Sequence, residues 1–378
     1  MKRKIKRVLN KLIDKLPKKY ILFESMPDYS DNSLAVYQYM KKDTAFNKYK
    51  LIWLDYGESS ENVTYRKVKA NSRLASYYRK RSAAIVFCNR TFSKCSDKQK
   101  TFFLCHGSKS KKTRGRYGAP ENLDYILVQA PVFHDVLKYE YSLSNHTQLV
   151  TLGYPRNDDL LAEIPVDFRS SIQCDYDKLI VWYPTFRQHN SGALNVSSIT
   201  LPIMHNQEDA EKINDCAKQN RVLIVLKPHF AQDVSYIQSG EYTNLKIIND
   251  DFLKDNQIRS YQMLRASDAL ITDYSSVYYD YLLRDKPIGL VWEDYAEYKQ
   301  NQGFAMDPDM IYSGGEKIYN VDDICAFICR IANGEDVLCA ERDKIKHLTN
   351  VYTDANSSER VAKFIWEVLN SKSEEKQR

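Results

Sequence analysis

The sequence predicts an α/β protein with two doubly wound, parallel-sheet domains that face each other across a cleft. Three observations favour this fold. Short apolar runs rich in β-branched and aromatic residues alternate with helical stretches along the chain. The length of 378 residues exceeds what one hydrophobic core usually serves. A polar, proline-containing stretch at 157–175 interrupts the alternation and suits a hinge. We therefore expect one domain at 20–156 and another at 157–365.

Each predicted domain has its own series of strands and helices. In the first, the strand-like runs are YILFES (20–25), YKLIWLD (49–55), AAIVFCN (83–89), TFFLCHG (101–107), YILVQA (125–130) and LVTLGYP (149–155), with helical patterns at 32–42, 72–81 and 131–141. In the second, they are KLIVWYPTF (178–186), RVLIVLKPH (221–229), NLKIIND (244–250), ALITDYSS (269–276) and PIGLVW (287–292), with helices at 208–220 and 260–267. Ligands of such sheets usually bind beyond the carboxyl ends of the strands.

The basic residues are concentrated at the N-terminus. The net charge is +6, and residues 1–19 contain nine Lys or Arg and one Asp, a charge of +8, so the remainder sums to −2 (6 − 8). This concentration argues against a nucleic-acid-binding surface. The segment is also amphipathic at helical spacing, and its apolar face comprises Ile5, Val8, Leu9, Leu12, Ile13 and Leu16. We interpret it as a tether to an anionic membrane surface; a docking helix or a solvated lead-in is the alternative.

No apolar run reaches the roughly 18 to 20 residues of a bilayer span, and no signal-peptide core is visible, so we expect a cytosolic protein. Residues 366–378 are expected to be a polar tail. The eight cysteines are scattered without a CxxC pair, and Cys325 and Cys329 are interpreted as buried thiols on one helix face. No DxD or other metal-ligand grouping stands out. The sequence therefore requires no cofactor and leaves Mg²⁺ open.

In the first domain, polar residues directly follow two predicted strands. His106 and Gly107 end one strand and precede a lysine-rich segment that contains Lys111 and Lys112. A histidine there can act as a general base, because its ordinary pKa of about 6.5 lies near neutrality. Arg156 follows the next turn, in GYPRND, where the two halves meet. We expect these residues to contact an acceptor or a phosphate, with a solvated loop and an ordinary turn as the alternatives.

In the second domain, three strands end in residues suited to phosphate. Thr185 and Arg187 follow the first strand, and Lys227 and His229 follow the second. The third ends in Asp273, Ser275 and Ser276 at the start of a helix, whose N–H groups favour an anion. Neither GxGxxG nor a P-loop is present. Together the motifs predict a transferase with a nucleotide-diphosphate donor.

The ordered motifs HG followed by lysines, GYPRND, YPTFR, KPH and ITDYSS resemble the CDP-glycerol glycerophosphotransferase family of teichoic-acid synthesis. QGFAMD (302–307) resembles a further family segment that reaches over the donor. The resemblance implies a Rossmann-like GT-B architecture at the cytoplasmic face of the membrane and a lipid-linked acceptor. It implies that His106 and His229 are the catalytic residues, with His106 as the base, and that Arg187, Lys227, His229, Ser275 and Ser276 hold the pyrophosphate of a CDP-polyol while CMP leaves. Asp273 either contacts the donor or orients the turn.

Several alternatives remain open. GSKSKK (107–112) and the pair Gly314–Gly315 depart from the family pattern, which leaves the acceptor and the choice of glycerol or ribitol undetermined. The product could belong to teichoic-acid or capsule synthesis, by single addition or polymerisation. A GT-B glycosyltransferase with a nucleotide-sugar donor could recruit Glu293 or Asp294 for the sugar. A non-catalytic scaffold that binds CDP-polyol is the third possibility. The sequence does not define the oligomeric state.

Overall fold

The computed structural model describes residues 12–57, 65–89, 94–113, 122–172, 174–185, 200–229, 232–238 and 240–371. The chain divides into two compact units. Unit 1 comprises Met1–Ser108, Thr113–Asp158 and Val351–Arg378, and unit 2 comprises Lys109–Lys112 and Asp159–Asn350. Each unit contains one fully parallel sheet. The predicted α/β class with two parallel sheets is therefore confirmed.

The sheet of unit 1 has the strand order β3-β2-β1-β4-β5-β6-β7. Its strands are β1 (Tyr20–Glu24), β2 (Lys50–Asp55), β3 (Lys67–Lys69), β4 (Ser82–Phe87), β5 (Lys100–Phe103), β6 (Tyr125–Val128) and β7 (Gln148–Thr151). The central strand β4 is buried along its whole length, as expected for a sheet covered on both faces. The short edge strand β3 was not predicted, because three residues carry too little pattern.

The sheet of unit 2 has the order β10-β9-β8-β11-β12-β13. Its strands are β8 (Lys178–Trp182), β9 (Val222–Leu226), β10 (Leu245–Ile247), β11 (Ala269–Thr272), β12 (Ile288–Val291) and β13 (Glu316–Ile318). Strands β9, β11 and β12 are buried throughout. The three strands that end in the predicted phosphate motifs, β9, β8 and β11, are consecutive in this sheet. Their carboxyl ends therefore lie side by side at one edge.

Helices connect the strands in both units. In chain order they are α1 (Asp31–Lys42), α2 (Arg73–Arg81), α3 (His134–Glu140), α4 (Asn157–Leu161), α5 (Gln207–Gln219), α6 (Ser235–Gln238), α7 (Asp250–Asp255), α8 (Ser260–Ala266), α9 (Val277–Tyr281), α10 (Tyr295–Asn301), α11 (Pro308–Ile311), α12 (Val321–Asn333), α13 (Cys339–Thr349) and α14 (Ser357–Asn370). Local signals set their ends: Asn206 and Asn320 cap α5 and α12 by accepting from backbone N–H groups, and α12 ends at Gly334 with φ +75°.

The predicted domain boundaries need correction at the C-terminal end. The second domain was expected to run to residue 365, with a polar tail from 366. Instead, residues from Val351 onward belong to unit 1, and α14 extends to Asn370. Phe364 packs edge-on against Phe102, with ring centroids 6.1 Å apart, and Trp366 packs against Phe46 at 5.4 Å. The apolar face of α14 thus joins the first sheet rather than the second.

The GYPRND motif holds this last helix. The carboxylate of Asp158 accepts hydrogen bonds from the backbone N–H groups of Ser357 (2.8 Å) and Ser358 (2.7 Å), which caps α14 from a distant part of the chain. Gly153 has φ +77°, and a Cβ atom there would overlap with Ser357. The motif, for which an ordinary turn was the alternative interpretation, therefore docks α14 onto unit 1.

The predicted N-terminal helix lies partly outside the described residues, which begin at 12. Residues 12–14 are helical. Ile13 is buried, whereas Leu12 and Leu16 are exposed. The ammonium group of Lys18 donates to the carbonyl of Ile13 (3.3 Å) and to the hydroxyl of Ser96 (3.0 Å). Within the described ranges, no helix has the length and apolarity needed to cross a bilayer.

The interpretation of Cys325 and Cys329 as buried thiols is wrong. Cys325 is half-buried and Cys329 is exposed. The buried face of α12 consists of Ile324, Phe327, Ile328 and Ile331. Because the cysteines follow Ile324 and Ile328 by one position each, they are rotated away from that face.

Candidate active site

In unit 1, the candidate base His106 is bound to a carboxylate that the sequence did not single out. His106 follows β5, and Asp31 begins α1, which follows β1. The Nδ1 atom of His106 forms a short hydrogen bond with Oδ2 of Asp31. The His106 side chain is 65% exposed, whereas that of Asp31 is 6% exposed. A buried carboxylate therefore holds one ring nitrogen and leaves the rest of the imidazole towards solvent.

Arg156 is the third member of this cluster and contacts both Asp31 and His106. Its Nη1 atom donates to Oδ1 of Asp31 at 3.0 Å and to the backbone carbonyl of His106. The Arg156 side chain is 7% exposed. The guanidinium is directed to Asp31 and to the backbone of the candidate base, and its contact with an acceptor or a phosphate stays a prediction. We assign Arg156 the task of fixing both.

The backbone around the cluster is fixed by Asn32. Its side-chain amide donates to the carbonyls of Leu104 (2.9 Å) and Cys105 (3.1 Å), and its oxygen accepts from the N–H of Arg156 (3.1 Å). Cys105 has φ +54° and Gly107 has φ +152°, and the latter value is accessible mainly to glycine. Gly107 is buried. Its part in the site is thus to allow the turn that presents His106.

The electrostatics of the cluster keep Asp31 ionised. Burial raises the pKa of this carboxyl, but the guanidinium of Arg156, the imidazole of His106 and the N–H of Asn32 outweigh it and lower the pKa to about 2. An ionised carboxylate only accepts hydrogen bonds, so Nδ1 of His106 is the protonated nitrogen. Asp31 was missed because SDNSL also matches an ordinary helix start. The available signal was its position directly after the first strand.

In unit 2, Asp273 at the end of β11 holds the segment that follows β8. Its Oδ2 accepts from the N–H of Thr185 at 2.8 Å, and its Oδ1 accepts a short hydrogen bond from the Thr185 hydroxyl. Asp273 is only 1% exposed. Of the two tasks expected for Asp273, the geometry favours orienting the loops. Arg187, two residues beyond Thr185, lies outside the described residues.

Lys227 and His229 follow β9 at the same edge. The ammonium group of Lys227 is 2.7 Å from Oδ1 of Asp250 and lies 5.6 Å from the ring centroid of Tyr183. Burial lowers the pKa of Lys227, but Tyr183 and Asp250 outweigh it, and the pKa is raised. Lys227 is therefore charged, with its side chain 11% exposed. His229 is exposed, as a residue that meets a ligand would be.

Ser275 and Ser276 are half-buried and precede the short helix α9. The N–H of Val277 donates to the Ser275 hydroxyl at 3.5 Å, which is a long hydrogen bond. Ser276 occupies the N-cap position without a side-chain cap bond. Ser275 therefore provides α9 with only a weak side-chain cap. Tyr278, Tyr279 and Tyr281 of α9 are fully buried, in agreement with a packing role.

The lysine-rich segment after His106 belongs to unit 2. It was predicted as part of the first domain, but Lys109–Lys112 pairs with the QGFAMD segment. Lys111 forms an antiparallel bridge with Phe304. The N–H of Lys112 donates to the carbonyl of Gly303 at 3.2 Å. Gly303 has φ +74°, and a Cβ atom there would lie 3.1 Å from Cδ of Lys112. These contacts attach Lys111 and Lys112 to the donor-motif unit rather than to the candidate base.

The acidic residues considered for a sugar ligand already have protein partners. Oε1 and Oε2 of Glu293 lie 3.0 and 2.9 Å from Nε2 of His205, and Oε2 also accepts from the N–H of Ile203 at 2.6 Å. Asp294 accepts from the hydroxyl of Tyr274 at 3.0 Å. Among the described residues, no group of three or more His, Cys, Asp or Glu side chains is arranged to hold a metal ion.

Comparisons with known proteins agree with the motif order. Residues 7–367 match the family model described as CDP-Glycerol:Poly(glycerophosphate) glycerophosphotransferase. The chain is 26% identical over 245 residues to the teichoic acid glycerol-phosphate primase of Bacillus subtilis (strain 168), covering 64% of this chain and 57% of the relative. It is 25% identical over 267 residues to the teichoic acid ribitol-phosphate primase of Bacillus spizizenii, covering 66% of this chain and 61% of the relative. The chain thus spans less than two thirds of the length of these relatives.

Among solved structures, the wall teichoic acid polymerase TagF superimposes with a TM-score of 0.77 at 19% identity, covering 98% of this chain and 93% of that chain. This likeness shows the fold. The family model extends over all the motifs from His106 to Ser276. The resemblance inferred from these motifs is therefore confirmed, and the protein belongs to the CDP-glycerol:poly(glycerophosphate) glycerophosphotransferase family.

Proposed function

We propose that the protein transfers glycerol phosphate or ribitol phosphate from a CDP-polyol to a hydroxyl group of a lipid-linked acceptor and releases CMP. The observation that carries this proposal is the buried Asp31–Arg156 pair beneath the exposed imidazole of His106. This arrangement suits His106 to act as a general base. The family model that matches the chain is named for a glycerophosphate transfer from CDP-glycerol. The donor motifs follow β8, β9 and β11, which are neighbours in one sheet, and bring together residue types suited to phosphate.

The proposed base is the Nε2 atom of His106. Because Nδ1–H is donated to the ionised Asp31, Nε2 carries the lone pair and can accept the proton of the acceptor hydroxyl. The hydroxyl oxygen then attacks the phosphorus that carries the polyol. One phosphodiester bond forms, the anhydride bond to CMP breaks, and CMP leaves with the electron pair of that bond. Asp31 stabilises the imidazolium that results.

The proposed donor ligands are Arg187, Lys227, His229, Ser275 and Ser276. Lys227 brings a positive charge to the edge of the sheet, and His229 is exposed beside it. The hydroxyl groups of Ser275 and Ser276 can donate to phosphate oxygens. These groups would stabilise the charge that develops on the leaving CMP. Asp273 and Thr185 act indirectly in this scheme, since each is bound to the other.

The remaining parts of the proposal concern architecture and location. We propose a GT-B arrangement, supported by the superposition of 98% of the chain on TagF. We also propose that the basic residues of 1–19 attract the anionic cytoplasmic face of the membrane, where a lipid-linked acceptor would be found. Relatives named for glycerol phosphate and for ribitol phosphate leave both polyols as candidates. The product would be a teichoic acid or a capsule-like polymer.

The experiment is nucleotide release from CDP-glycerol, CDP-ribitol and a panel of UDP-sugars, each with a lipid-linked acceptor. We expect CMP from one or both CDP-polyols. Release of UDP alone would establish the glycosyltransferase alternative, which is disfavoured because Glu293 and Asp294 are engaged by His205 and Tyr274. A scaffold would bind CDP-polyol, but the wild type would release no CMP.

A further inference from the structure

A buried pair of hydroxyl groups connects the lysine-rich segment to the turn after β11. Oγ of Ser110 lies 2.9 Å from the hydroxyl of Tyr312, and that hydroxyl donates to the backbone carbonyl of Tyr274 at 3.3 Å. Ser110 is 2% exposed, and Tyr312 is fully buried. Tyr274 lies between Asp273 and Ser275. The two hydroxyl groups thus end on the backbone of the turn at residues 273–276, which we call the phosphate turn.

The direction of the hydrogen bonds follows from the chemistry. Burial raises the pKa of Tyr312, with the nearby Asp273 adding to the shift, so its hydroxyl is protonated. A phenol has one proton, and Tyr312 gives it to the Tyr274 carbonyl. Ser110 must then donate to the oxygen of Tyr312. The order is Ser110 to Tyr312 to the phosphate turn, and loss of either hydroxyl interrupts it.

Tyr274 is held at its other end as well. Its hydroxyl donates to Asp294 at 3.0 Å, and its ring stacks on Tyr298 with centroids 4.0 Å apart. These contacts restrain the side chain, whereas Tyr312 restrains the main chain next to Ser275. Ser110 is itself anchored, because its carbonyl accepts from the N–H of Ala305 at 2.7 Å. The phosphate turn is therefore supported from the QGFAMD segment through Ser110.

We propose that Ser110 and Tyr312 are positioning residues for the CDP-polyol donor, which they serve by fixing the backbone of the phosphate turn. The inference rests on the proposed function. It deepens that function by making donor affinity depend on the docking of Lys109–Lys112 against residues 302–305. A turn that is already ordered before phosphate binds has a higher affinity, because binding does not have to meet the entropy cost of ordering its backbone.

The fold offers a matched control at the opposite end of β11. The hydroxyl of Tyr281 lies 2.8 Å from Oγ of Ser267, and both residues are fully buried in the same unit. Ser267 precedes β11, whereas Tyr274 follows it. The two Ser–Tyr pairs therefore have the same chemistry and burial, but only the pair of Ser110 and Tyr312 contacts the phosphate turn.

The test compares Tyr312→Phe and Ser110→Ala with Tyr281→Phe and Ser267→Ala in the full chain. Steady-state CMP release gives KM for CDP-glycerol or CDP-ribitol and kcat, calorimetry gives the Kd of the same donor, and thermal unfolding gives Tm. For Tyr312→Phe and Ser110→Ala we expect KM and Kd to rise about 5-fold, the ratio that one net hydrogen bond supports, with kcat within about 2-fold. The control variants should lower Tm similarly and leave KM and Kd unchanged.

Two outcomes would overturn the inference while the proposed function stands. One is a wild type that turns over CDP-polyol and a Tyr312→Phe variant with unchanged KM and Kd. The other is an equal change in KM for both Ser–Tyr pairs, which would mean a general stability effect. A wild type that neither binds nor turns over a CDP-polyol would instead overturn the proposed function together with this inference.

Discussion

The two units use a buried aspartate in different ways. In unit 1, Asp31 bonds to Arg156 and His106, so its partners are a full charge and a titratable ring. In unit 2, Asp273 bonds to the N–H and the hydroxyl of Thr185, which are neutral groups. The contacts of Asp31 with Arg156 and His106 therefore depend on its charge, whereas an uncharged oxygen could also accept the two hydrogen bonds from Thr185. Substitution by asparagine, which keeps the shape and removes the charge, should separate the two.

The largest effect on kcat is expected for substitution of His106, the proposed base to which Asp31 is hydrogen-bonded. His106→Ala should lower kcat by roughly 10²- to 10⁴-fold, the contribution typical of a general base. The Kd for CDP-polyol should stay near that of the wild type, because the donor motifs belong to unit 2. Single-turnover CMP release and calorimetry measure the two quantities. His146→Ala, at an exposed loop histidine, is the control. A rate close to that of wild type in His106→Ala would exclude His106 as the base.

Asp31→Asn should lower kcat by about 10²-fold. The imidazole remains, but its tautomer is no longer fixed by an anion, and the imidazolium loses its counter-charge. Measured kcat across pH should show a changed profile, whereas a merely structural change would lower the rate without altering its pH dependence. Equal rates for Asp31→Asn and wild type would show that the carboxylate does not assist His106.

Asp31 should also make the fold acid-sensitive. Its pKa falls from 3.8 to about 2 on folding, so the ionised form is favoured in the folded state. The resulting stabilisation, about 2 kcal/mol, is present above the unfolded pKa and is lost as pH falls through 4 towards 2. We expect the difference in unfolding free energy between wild type and Asp31→Asn to shrink between pH 5 and pH 2.5. A difference that is constant in urea titrations over this range would contradict the lowered pKa.

The smallest effect is expected for Asp273→Asn, because an amide oxygen can still accept from the N–H of Thr185. KM for the donor should rise no more than about 5-fold. Asp273→Ala leaves that N–H unpaired and should cost about 1–3 kcal/mol of stability together with a larger rise in KM. Asp268→Ala is the control, since Asp268 accepts from the N–H of Leu179 at the amino end of β11. A rise in KM in Asp268→Ala would show that the rise seen in the Asp273 variants comes from general destabilisation of the sheet and not from the loop at Thr185.

The sequence predicted the fold class and the strand-end motifs because each depends on local pattern. For example, the strand β11 and the polar residues Asp273, Ser275 and Ser276 all fall within eight consecutive residues, ALITDYSS (269–276). Asp31 could not be linked to His106 in this way, since 75 residues separate them and only the strand order brings their turns together. The protein partners of Arg156 could not be predicted for a similar reason. Its partner at Asp31 lies 125 residues earlier, and the local sequence suggests an exposed cation.

The assignment of whole segments to a unit was also beyond local pattern. The apolar face of α14 is evident from its periodicity, but periodicity does not say which sheet it covers. Lys109–Lys112 follows a unit 1 strand by only a few residues, yet its backbone pairs with Gly303 and Phe304. In both cases the deciding contacts are made between residues far apart in sequence.

The docking of α14 at Asp158 and Gly153 has a consequence for folding during translation. The strands of unit 1 leave the ribosome early, but the helix that packs on Phe46 and Phe102 is synthesised only after all of unit 2. All of unit 2, Lys109–Lys112 as well as Asp159–Asn350, is synthesised before α14, so unit 2 can fold while the apolar surface of unit 1 is still uncovered. During translation, the later-synthesised unit should reach its native state first, and chaperone binding should concentrate on the earlier one.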